Sequence, residues 1–273
     1  MNTMRFSIIT PNYNGDRFLE QTITSVIRQR SDDVDLEYIV IDGNSTDRSH
    51  AILDNYASDI TTLIIEDDTG PANAINKGFA LATGDIIAWL NADDLYYPET
   101  LKRVQQAMER RPDAAICFGY CPIIDEHGRE IRSGITRFKE LFYPFSSRFT
   151  FQCINYLSQP ALFFSRQAYE QAGPLREDMV AAWDYEFFLR LLHGGGAECI
   201  KGDPLSAFRW HEQSISGQHF QTQFREEYEV ARKDAGPFSL QVFVHFFVRW
   251  GIVGIYSSMS LRRRLFGSSY PHH

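Results

Sequence analysis

Three polar side chains with metal-binding chemistry directly follow an apolar segment. Residues 86–90 have the composition of a buried β-strand, and Asn91, Asp93 and Asp94 come immediately after it. In open α/β sheets, ligands bind at the carboxyl ends of the strands. Oxygen atoms grouped there suit a hard divalent cation that carries substrate phosphates. For an isolated pair of aspartates a solvated turn would be the better interpretation. The choice between a metal site and such a turn therefore depends on the motifs in the rest of the chain.

Two further carboxylates occupy positions where chemistry is common. Asp42 ends an apolar run that begins at residue 37, and Asp184 lies in the first turn of a predicted helix. A carboxylate is stabilised at a helix N-terminus by the helix dipole, so Asp184 could serve the helix alone. Asp42 could likewise cap the next helix, but Ser45 and Asp47 are better placed for capping.

The elements that position these groups alternate between strand and helix. Over the first 120 residues, short β-branched runs alternate with amphipathic helical patterns, which predicts βαβ units and a mostly parallel sheet. Pro11 is expected to end the first strand, and Pro98 is expected in the first turn of a helix that reaches Arg110. The predicted strands cover residues 5–10, 37–42, 61–66, 86–90 and 114–120.

The pattern is less regular beyond residue 121. Residues 125–128 predict a turn between two short strands, and residues 137–156 are rich in aromatic side chains without a clear period. A further strand is predicted at 161–164, followed by helices. The glycine run 194–196 is expected to end the helix that carries Asp184 rather than to bind phosphate, because no strand precedes it.

Composition excludes several classes of protein. With 273 residues and 44% hydrophobic content, the chain can bury an α/β core and is not disordered. A net charge of -8 argues against nucleic acid as a partner, because phosphate-tracking surfaces are positive. The N-terminal residues lack a signal-peptide pattern, so we expect a cytoplasmic protein. Four cysteines without zinc-site spacing are expected to be reduced and buried: Cys117, Cys121, Cys153 and Cys199.

Five segments, in order, resemble the sequential motifs of glycosyltransferase family 2. They are TPNYN (10–14), EYIVIDGNSTD (37–47), NAINKG (73–78), TGDIIAWLNADD (83–94) and WDYEFFLRL (183–191). The resemblance covers roughly residues 5–215. It implies an inverting enzyme with the GT-A fold, a nucleotide-sugar-binding α/β fold whose mostly parallel central sheet is flanked by helices. It also implies a nucleotide-diphosphate sugar as donor, with a UDP-sugar expected, and a divalent cation, Mn²⁺ or Mg²⁺.

The resemblance assigns the donor site to the ends of neighbouring strands. Asp42 matches the aspartate that contacts the nucleobase in the family, and Lys77 either offsets diphosphate charge or is solvated. The residues expected to bind the donor are Thr10, Pro11, Asn12, Tyr13, Asn14, Asp42, Asn76, Lys77, Asn91, Ala92 and Asp93.

The metal site departs from the family pattern at one position. Asn91, Ala92 and Asp93 stand where the family has its DxD motif, so the first carboxylate is replaced by an amide without charge. Asp93 is therefore expected to bind the metal directly, and Asp94 to support it or to face the acceptor. His211 resembles a family histidine that binds the metal or the diphosphate, although a purely structural histidine is the alternative.

Asp184 matches the aspartate that the family uses as general base. In-line transfer requires such a group, because the acceptor hydroxyl loses its proton as it attacks the anomeric carbon. Glu186 is the alternative base, but on a helix its side chain would face elsewhere. The expected acceptor is a glycan, a lipid-linked molecule or a protein, and the aromatic residues 137–156 are expected to contact it.

The predicted organisation is a glycosyltransferase domain at 1–217, followed by a helical extension at 218–273. Within the domain, the nucleotide-binding half covers about 1–120 and the acceptor-binding half about 121–217. Residues 240–264 are apolar and aromatic but contain Gln241, His245 and Arg249, so they are not expected to span a membrane. They predict either a helix on an anionic membrane surface or one that packs on the core or at an oligomer interface.

Two other functions fit parts of the pattern. A sugar nucleotidyltransferase would keep the fold, but it would need a glycine-rich basic loop after the first strand, and residues 11–16 do not supply one. A non-catalytic nucleotide-sugar-binding protein or scaffold would not need Asp184. Inverting transfer of a single sugar is therefore the function that the sequence favours.

Overall fold

The computed structural model describes residues 4–211, 214 and 219–251. The strands are β1 (Arg5–Asn12), β2 (Asp35–Asp42), β3 (Thr62–Ile65), β4 (Ile86–Trp89), β5 (Leu95–Tyr96), β6 (Ala114–Gly119), β7 (Ile123–Ile124), β8 (Glu130–Ile131), β9 (Leu162–Ser165), β10 (Gly196–Ile200) and β11 (Ser206–Arg209). The helices are α1 (Leu19–Ile27), α2 (Ser49–Asn55), α3 (Pro71–Leu81), α4 (Thr100–Arg110), α5 (Ser133–Glu140), α6 (Arg148–Cys153), α7 (Arg166–Ala172), α8 (Trp183–Leu191) and α9 (Phe220–Ala235), and residues 240–251 are also helical.

The central sheet has seven strands in the order β10-β6-β9-β4-β1-β2-β3. Four of its six neighbouring pairs are parallel, and β9 runs antiparallel to both β4 and β6. The α/β class with a mostly parallel sheet is thus confirmed. A second, four-stranded sheet has the order β5-β11-β7-β8. It connects the segment after β4 with β11, and both segments carry expected site residues.

Helices cover both faces of the central sheet, and the strands are accordingly apolar on both sides. On one face Phe79, Trp89, Phe164 and Phe187 form an aromatic cluster, and the Phe79 and Phe164 ring centroids lie 5.6 Å apart. On the other face, β1 and β2 pack against α1 and α4. Such near-continuous apolar strands are typical of a covered parallel sheet. Complete burial of one large apolar side chain contributes about 1.5–3 kcal/mol.

The expectation that Pro11 ends the first strand is wrong, because β1 continues to Asn12. The Ile9 carbonyl accepts from the Leu90 N–H at 2.8 Å, and the Asn12 carbonyl accepts from the Gly43 N–H at 2.8 Å. Backbone groups of successive strand residues point to alternate sides. The Pro11 nitrogen therefore faces β4. The pairing of β1 with β4 ends before Pro11, at Ile9 and Trp89, so no N–H is needed there.

One other local expectation fails, and one strand was not expected. Pro98 does not lie in the first turn of a helix: α4 begins at Thr100, because Glu99 adopts a left-handed conformation with φ 61°. The sequence pattern does not predict β10, a short edge strand in which only the last residue, Ile200, is a large apolar side chain. The glycine run does follow the end of α8, as expected, but Gly196 already belongs to β10.

The segment 137–156, which has no clear period in the sequence, contains the second half of α5, a short 3₁₀ turn at Tyr143–Phe145, and α6. The four cysteines are free, and three of them are buried, whereas Cys199 is half-buried. Among the described residues, no helix is both long enough and apolar enough to cross a bilayer. Residues 252–264 of the apolar C-terminal segment lie outside the described residues.

Candidate functional site

The turn after β4 is organised around a fully buried carboxylate, Asp94. Its Oδ1 accepts from the Arg209 N–H at 2.8 Å, and its Oδ2 accepts from the Asn91 amide at 3.2 Å. Burial and the neighbouring charge of Asp93 raise its pKa well above the ordinary value. Asp94 therefore supports the turn and does not face an acceptor.

These contacts explain why an amide stands at position 91. Asn91 Nδ2 donates to Asp94 and also, at 3.1 Å, to Gln159 Oε1. Gln159 in turn donates to the Trp89 carbonyl at 2.7 Å. An ionised aspartate at this position would offer no donor and would place a negative charge beside the buried carboxyl of Asp94. The departure from the DxD pattern thus allows a buried aspartate three residues later.

Arg209, at the end of β11, joins this turn to the rest of the site. Its side chain is buried and donates through Nε to the Asp93 carbonyl at 2.8 Å and through Nη2 to Gln21 at 2.9 Å. Its guanidinium also lies over the Phe18 ring, 4.4 Å from the centroid. Burial lowers the pKa of Arg209, and the nearby carboxylates of Asp94 and Asp93 oppose that effect.

The structure brings the two expected metal ligands together. Asp93 Oδ2 lies 2.8 Å from His211 Nε2, although 118 residues separate them in the chain. Both side chains keep some exposure to solvent. His211 also lines a cleft of about 560 Å³, together with Arg17 and Trp210. A carboxylate and an imidazole at the rim of a cleft are suited to binding a cation together with its ligand.

The ends of β1 and β2 form a second polar cluster, centred on Asp42. Asp42 is fully buried, and both of its oxygens are engaged: Asn12 Nδ2 lies at 2.6 Å, the Ser45 N–H at 2.8 Å and His50 Nε2 at 3.0 Å. The sequence predicts that Ser45 caps α2. In the structure it does not, because its hydroxyl donates to Asp42 at 2.8 Å. Asp47 does accept from the Ser49 N–H at the start of α2, at 2.9 Å.

The remaining residues of the first motif differ in accessibility. Thr10 and Pro11 are buried, and Thr10 Oγ1 accepts from the Tyr38 hydroxyl at 3.1 Å. Asn14 has φ 51° and accepts from the Thr46 N–H at 2.8 Å. The Tyr13 side chain is 67% exposed at this edge of the sheet, where a flat ring is available to a ligand.

Asn76 and Lys77 point in different directions from α3. Asn76 holds the loop before α8: its Oδ1 accepts from the Leu175 N–H at 2.8 Å and its Nδ2 donates to Glu177 at 2.7 Å. Lys77 Nζ contacts Glu66 at 2.8 Å, beyond the end of β3. The structure thus keeps Lys77 at the sheet edge and uses Asn76 elsewhere.

Asp184 lies in the first turn of α8, as expected. The preceding residue, Trp183, packs on Trp89 with ring centroids 5.8 Å apart, which places the start of α8 beside the end of β4. Asp184 is half-buried, and burial raises its pKa to about 6, although the Tyr185 N–H and Lys139 oppose this effect. Glu186 instead pairs with Arg190 at 2.8 Å, which agrees with the expectation that it faces elsewhere.

Sequence reasoning missed two charged groups near Asp184. Glu227 of α9 is buried and accepts from Asn155 and Gln223, each at 3.0 Å. Burial raises its pKa to about 7, and the charge of Asp184 adds to that rise while Lys139 opposes it. Burial lowers the pKa of Lys139. The only local signal for Glu227 is a carboxylate on the apolar face of an amphipathic helix.

Comparisons with known proteins agree on one family. Residues 7–173 match the family described as Glycosyl transferase family 2. A PGL/p-HBAD biosynthesis glycosyltransferase of Mycobacterium bovis is 32% identical over 186 residues, which cover 66% of this chain and 67% of that protein. An uncharacterized glycosyltransferase of a Nostoc species is 34% identical over 137 residues, 49% of this chain and 42% of that protein. The chain therefore spans less than half the length of the Nostoc relative.

Solved structures share the fold. The mannosyltransferase PcManGT from Pyrobaculum calidifontis, in complex with GDP-Man and Mn²⁺, superposes with a TM-score of 0.71 at 18% identity, covering 97% of this chain and 76% of that one. TarS of Staphylococcus aureus in complex with UDP-GlcNAc gives 0.67 at 18% identity, covering 85% of this chain and 66% of that one. At this identity the likeness concerns the fold alone, which is GT-A.

The raised pKa of Glu227 predicts a pH-dependent cost of folding. The ordinary pKa is 4.5 and the folded value is about 7, so the folded state retains a proton that the unfolded state releases between these values. Stability from this group is therefore present at low pH and is lost as pH rises towards 7. Glu227→Gln keeps an oxygen acceptor and cannot ionise. We expect it to gain about 1–3 kcal/mol over the wild type in urea unfolding at pH 8, and little at pH 5.

The matched control is Glu229→Gln, which makes the same change at an exposed position of α9. It should follow the wild type at both pH values. A Glu227→Gln variant whose stability difference from the wild type did not change with pH would contradict the prediction.

Proposed function

The chain belongs to glycosyl transferase family 2, and on that premise we propose that it is a glycosyltransferase that moves a single sugar from a nucleotide-diphosphate sugar to an acceptor hydroxyl with inversion. The observation that carries the proposal is the convergence of the Asp42 cluster, the Asp93–His211 pair and the start of α8 at the carboxyl ends of β1, β2 and β4.

The donor nucleotide is proposed to bind over the ends of β1 and β2. Tyr13 offers an exposed ring for the base. The neighbouring Asn12 is fixed by its hydrogen bond to the buried Asp42. Asn12 Oδ1 is buried without a hydrogen-bond partner among the described residues, so it can accept from a ligand hydroxyl after a small shift. We propose a UDP-sugar as donor, and Lys77 as a side chain that offsets diphosphate charge when it leaves Glu66.

Asp93 and His211 are proposed to hold a divalent cation, Mn²⁺ or Mg²⁺. The described residues contain no group of three or more carboxylate, imidazole or thiol side chains around a common point. Two protein ligands fit such an ion nevertheless, because in phosphate-transfer sites it takes its other ligands from substrate phosphates and water. When bound, the cation would neutralise charge on the departing diphosphate.

Asp184 is proposed as the general base. Its pKa near 6 leaves it ionised at neutral pH and basic enough to accept a proton. The acceptor oxygen forms a bond to the anomeric carbon on the face opposite the diphosphate, and the bond to the diphosphate oxygen breaks. Asp184 takes the hydroxyl proton, and the diphosphate leaves with the electron pair. A single displacement inverts the configuration at that carbon.

The acceptor is proposed to be a glycan, a lipid-linked molecule or a protein, bound by the half of the domain at about 121–217, opposite the nucleotide-binding half at about 1–120. Four apolar side chains near α5 and α6 are exposed and are available to pack on sugar rings: Phe138, Leu141, Phe145 and Phe149.

The helical extension is proposed to place the enzyme at the inner face of the cell membrane, in keeping with a cytoplasmic protein. In the helix 240–251, one side packs on the core through Val242 and His245. The opposite side exposes Phe243 (63%), Phe247 (57%) and Trp250 (57%). Residues 240–273 contain four arginines and no acidic residue, whereas the whole chain carries -8. This combination of aromatic and cationic groups fits an anionic lipid surface.

A thermal-shift panel tests the donor and metal sites together. UDP, GDP, dTDP and CMP are each added with Mn²⁺, Mg²⁺ or EDTA. We expect one nucleoside diphosphate to raise the unfolding midpoint by several degrees with metal, because ligand at 100 times its Kd stabilises by about 2.7 kcal/mol. Asp93→Ala should lose the metal-dependent part, and Asp54→Ala, an exposed aspartate on α2, should keep it.

No shift with any nucleotide would refute the donor site and favour a scaffold. A metal-dependent shift that survived in Asp93→Ala would refute the assignment of that residue.

Vesicle flotation tests the membrane contact. The full chain should float with phosphatidylcholine vesicles that contain phosphatidylglycerol and stay behind with phosphatidylcholine alone. Phe243→Ser combined with Phe247→Ser removes two exposed rings and should lower the bound fraction severalfold. Leu81→Ser, on an exposed position of α3, serves as the control. Equal binding of the double variant and the wild type would refute the proposed surface.

A further inference from the structure

The helix that carries Asp184 has no N-terminal cap of its own. The first N–H groups of a helix have no intrahelical partners and need an acceptor. The residues before α8 are Val180, Ala181 and Ala182, whose side chains have no polar atom, and the N-cap residue Ala182 makes no side-chain hydrogen bond. Within α8, Asp184 Oδ1 accepts from the Tyr185 N–H at 2.7 Å, but the residues before the helix offer no side-chain acceptor for their own N–H groups.

Glu226 of α9 supplies an acceptor for the N–H groups of these three residues, the last of which is the N-cap residue Ala182. Its Oε1 accepts from the Val180 N–H at 3.0 Å, and its Oε2 accepts from the N–H groups of Ala181 and Ala182, each at 2.9 Å. Burial alone would raise the pKa of Glu226, but the three backbone bonds outweigh it and lower the pKa. An ionised carboxylate at a helix N-terminus is also favoured by the helix dipole.

Contacts of the residues that follow Glu226 fix α9 in place. The next residue, Glu227, is buried and accepts from Asn155. One helical turn further, Val230 and Ala231 belong to the same apolar cluster as Trp183. Asp234 accepts from Arg148 at 2.8 Å and from Gln152 at 2.7 Å. Glu226 thus reaches α8 from a helix that is anchored to α6.

We propose that Glu226 is a positioning residue: by binding the three N–H groups before α8, it holds the first turn of that helix, and with it Asp184, in the orientation needed for proton transfer. This inference rests on the proposed role of Asp184 as general base. It makes α9 part of the catalytic apparatus, although α9 belongs to the extension predicted at 218–273 and lies outside the family match at 7–173.

The test compares Glu226→Gln and Glu226→Ala with Glu229→Gln and Glu229→Ala, which alter an exposed glutamate of the same helix. The assay is hydrolysis of UDP-GlcNAc or GDP-mannose with Mn²⁺, whichever nucleotide sugar stabilises the protein. A glutamine retains one oxygen and can keep two of the three bonds, whereas alanine keeps none. We expect kcat to fall about threefold for Gln and about ten- to hundredfold for Ala, with donor KM unchanged.

Amide hydrogen exchange gives a second readout that needs no substrate. In Glu226→Ala, the amides of Val180, Ala181 and Ala182 should exchange at least about tenfold faster, while those of β4 keep their protection. The Glu229 variants should match the wild type in both measurements.

Asp184→Asn in the same panel separates this inference from the function on which it rests. If Asp184→Asn loses turnover and Glu226→Ala does not, the positioning role is wrong and the base assignment stands. If Asp184→Asn keeps full turnover, both are wrong. A Glu226→Ala variant that loses donor binding together with kcat, or whose three amides exchange at the wild-type rate, would also overturn the positioning role.

Discussion

The site depends on one buried polar group, the Asp94 carboxyl, and on the groups that form hydrogen bonds with it. Asp94 has no contact with water, so its oxygens need donors from the protein, and the Arg209 N–H and the Asn91 amide provide them. Because Arg209 ends β11, this contact fixes the second sheet against the turn after β4. His211 follows two residues later and therefore meets Asp93. The proposed metal site is thus a consequence of how a neighbouring, non-liganding aspartate is buried.

The parallel sheet brings the other proposed site segments to the same edge. The Asp42 cluster is built by the ends of β1 and β2; β1 is the parallel neighbour of β4, and β2 is the next strand beyond β1. Asp184 is tied to the same edge through Trp183 and Trp89, and Glu226 holds the residues before it. Arg209, which donates to the Asp93 carbonyl, and Asp42, which accepts from Asn12, are themselves buried. A substitution at Arg209 or Glu226 therefore affects the site without removing a proposed ligand or base.

Much of this arrangement follows from the sequence, because strand ends and helix starts have local signals. The alternation of elements predicts the parallel sheet, and the position of Asp93 after an apolar run predicts its place at the sheet edge. The expectations that failed concern contacts that the local sequence does not specify. Ser45 was expected to cap a helix, but its hydroxyl binds Asp42; Pro11 was expected to end β1, but its nitrogen faces a place where the ladder has already ended. Arg209 and Glu226 act on partners far along the chain, and no local pattern reveals such pairs.

The most direct test of this account is electron spin echo spectroscopy of Mn²⁺ bound to the full chain, together with the nucleoside diphosphate that stabilises it most. The account predicts a nitrogen coupling typical of an imidazole ligand, present in the wild type and absent in His211→Gln. It also predicts that Asp93→Ala binds Mn²⁺ more weakly. A nitrogen coupling that persists in His211→Gln, or a spectrum without any imidazole coupling in the wild type, would contradict the placement of the metal between Asp93 and His211.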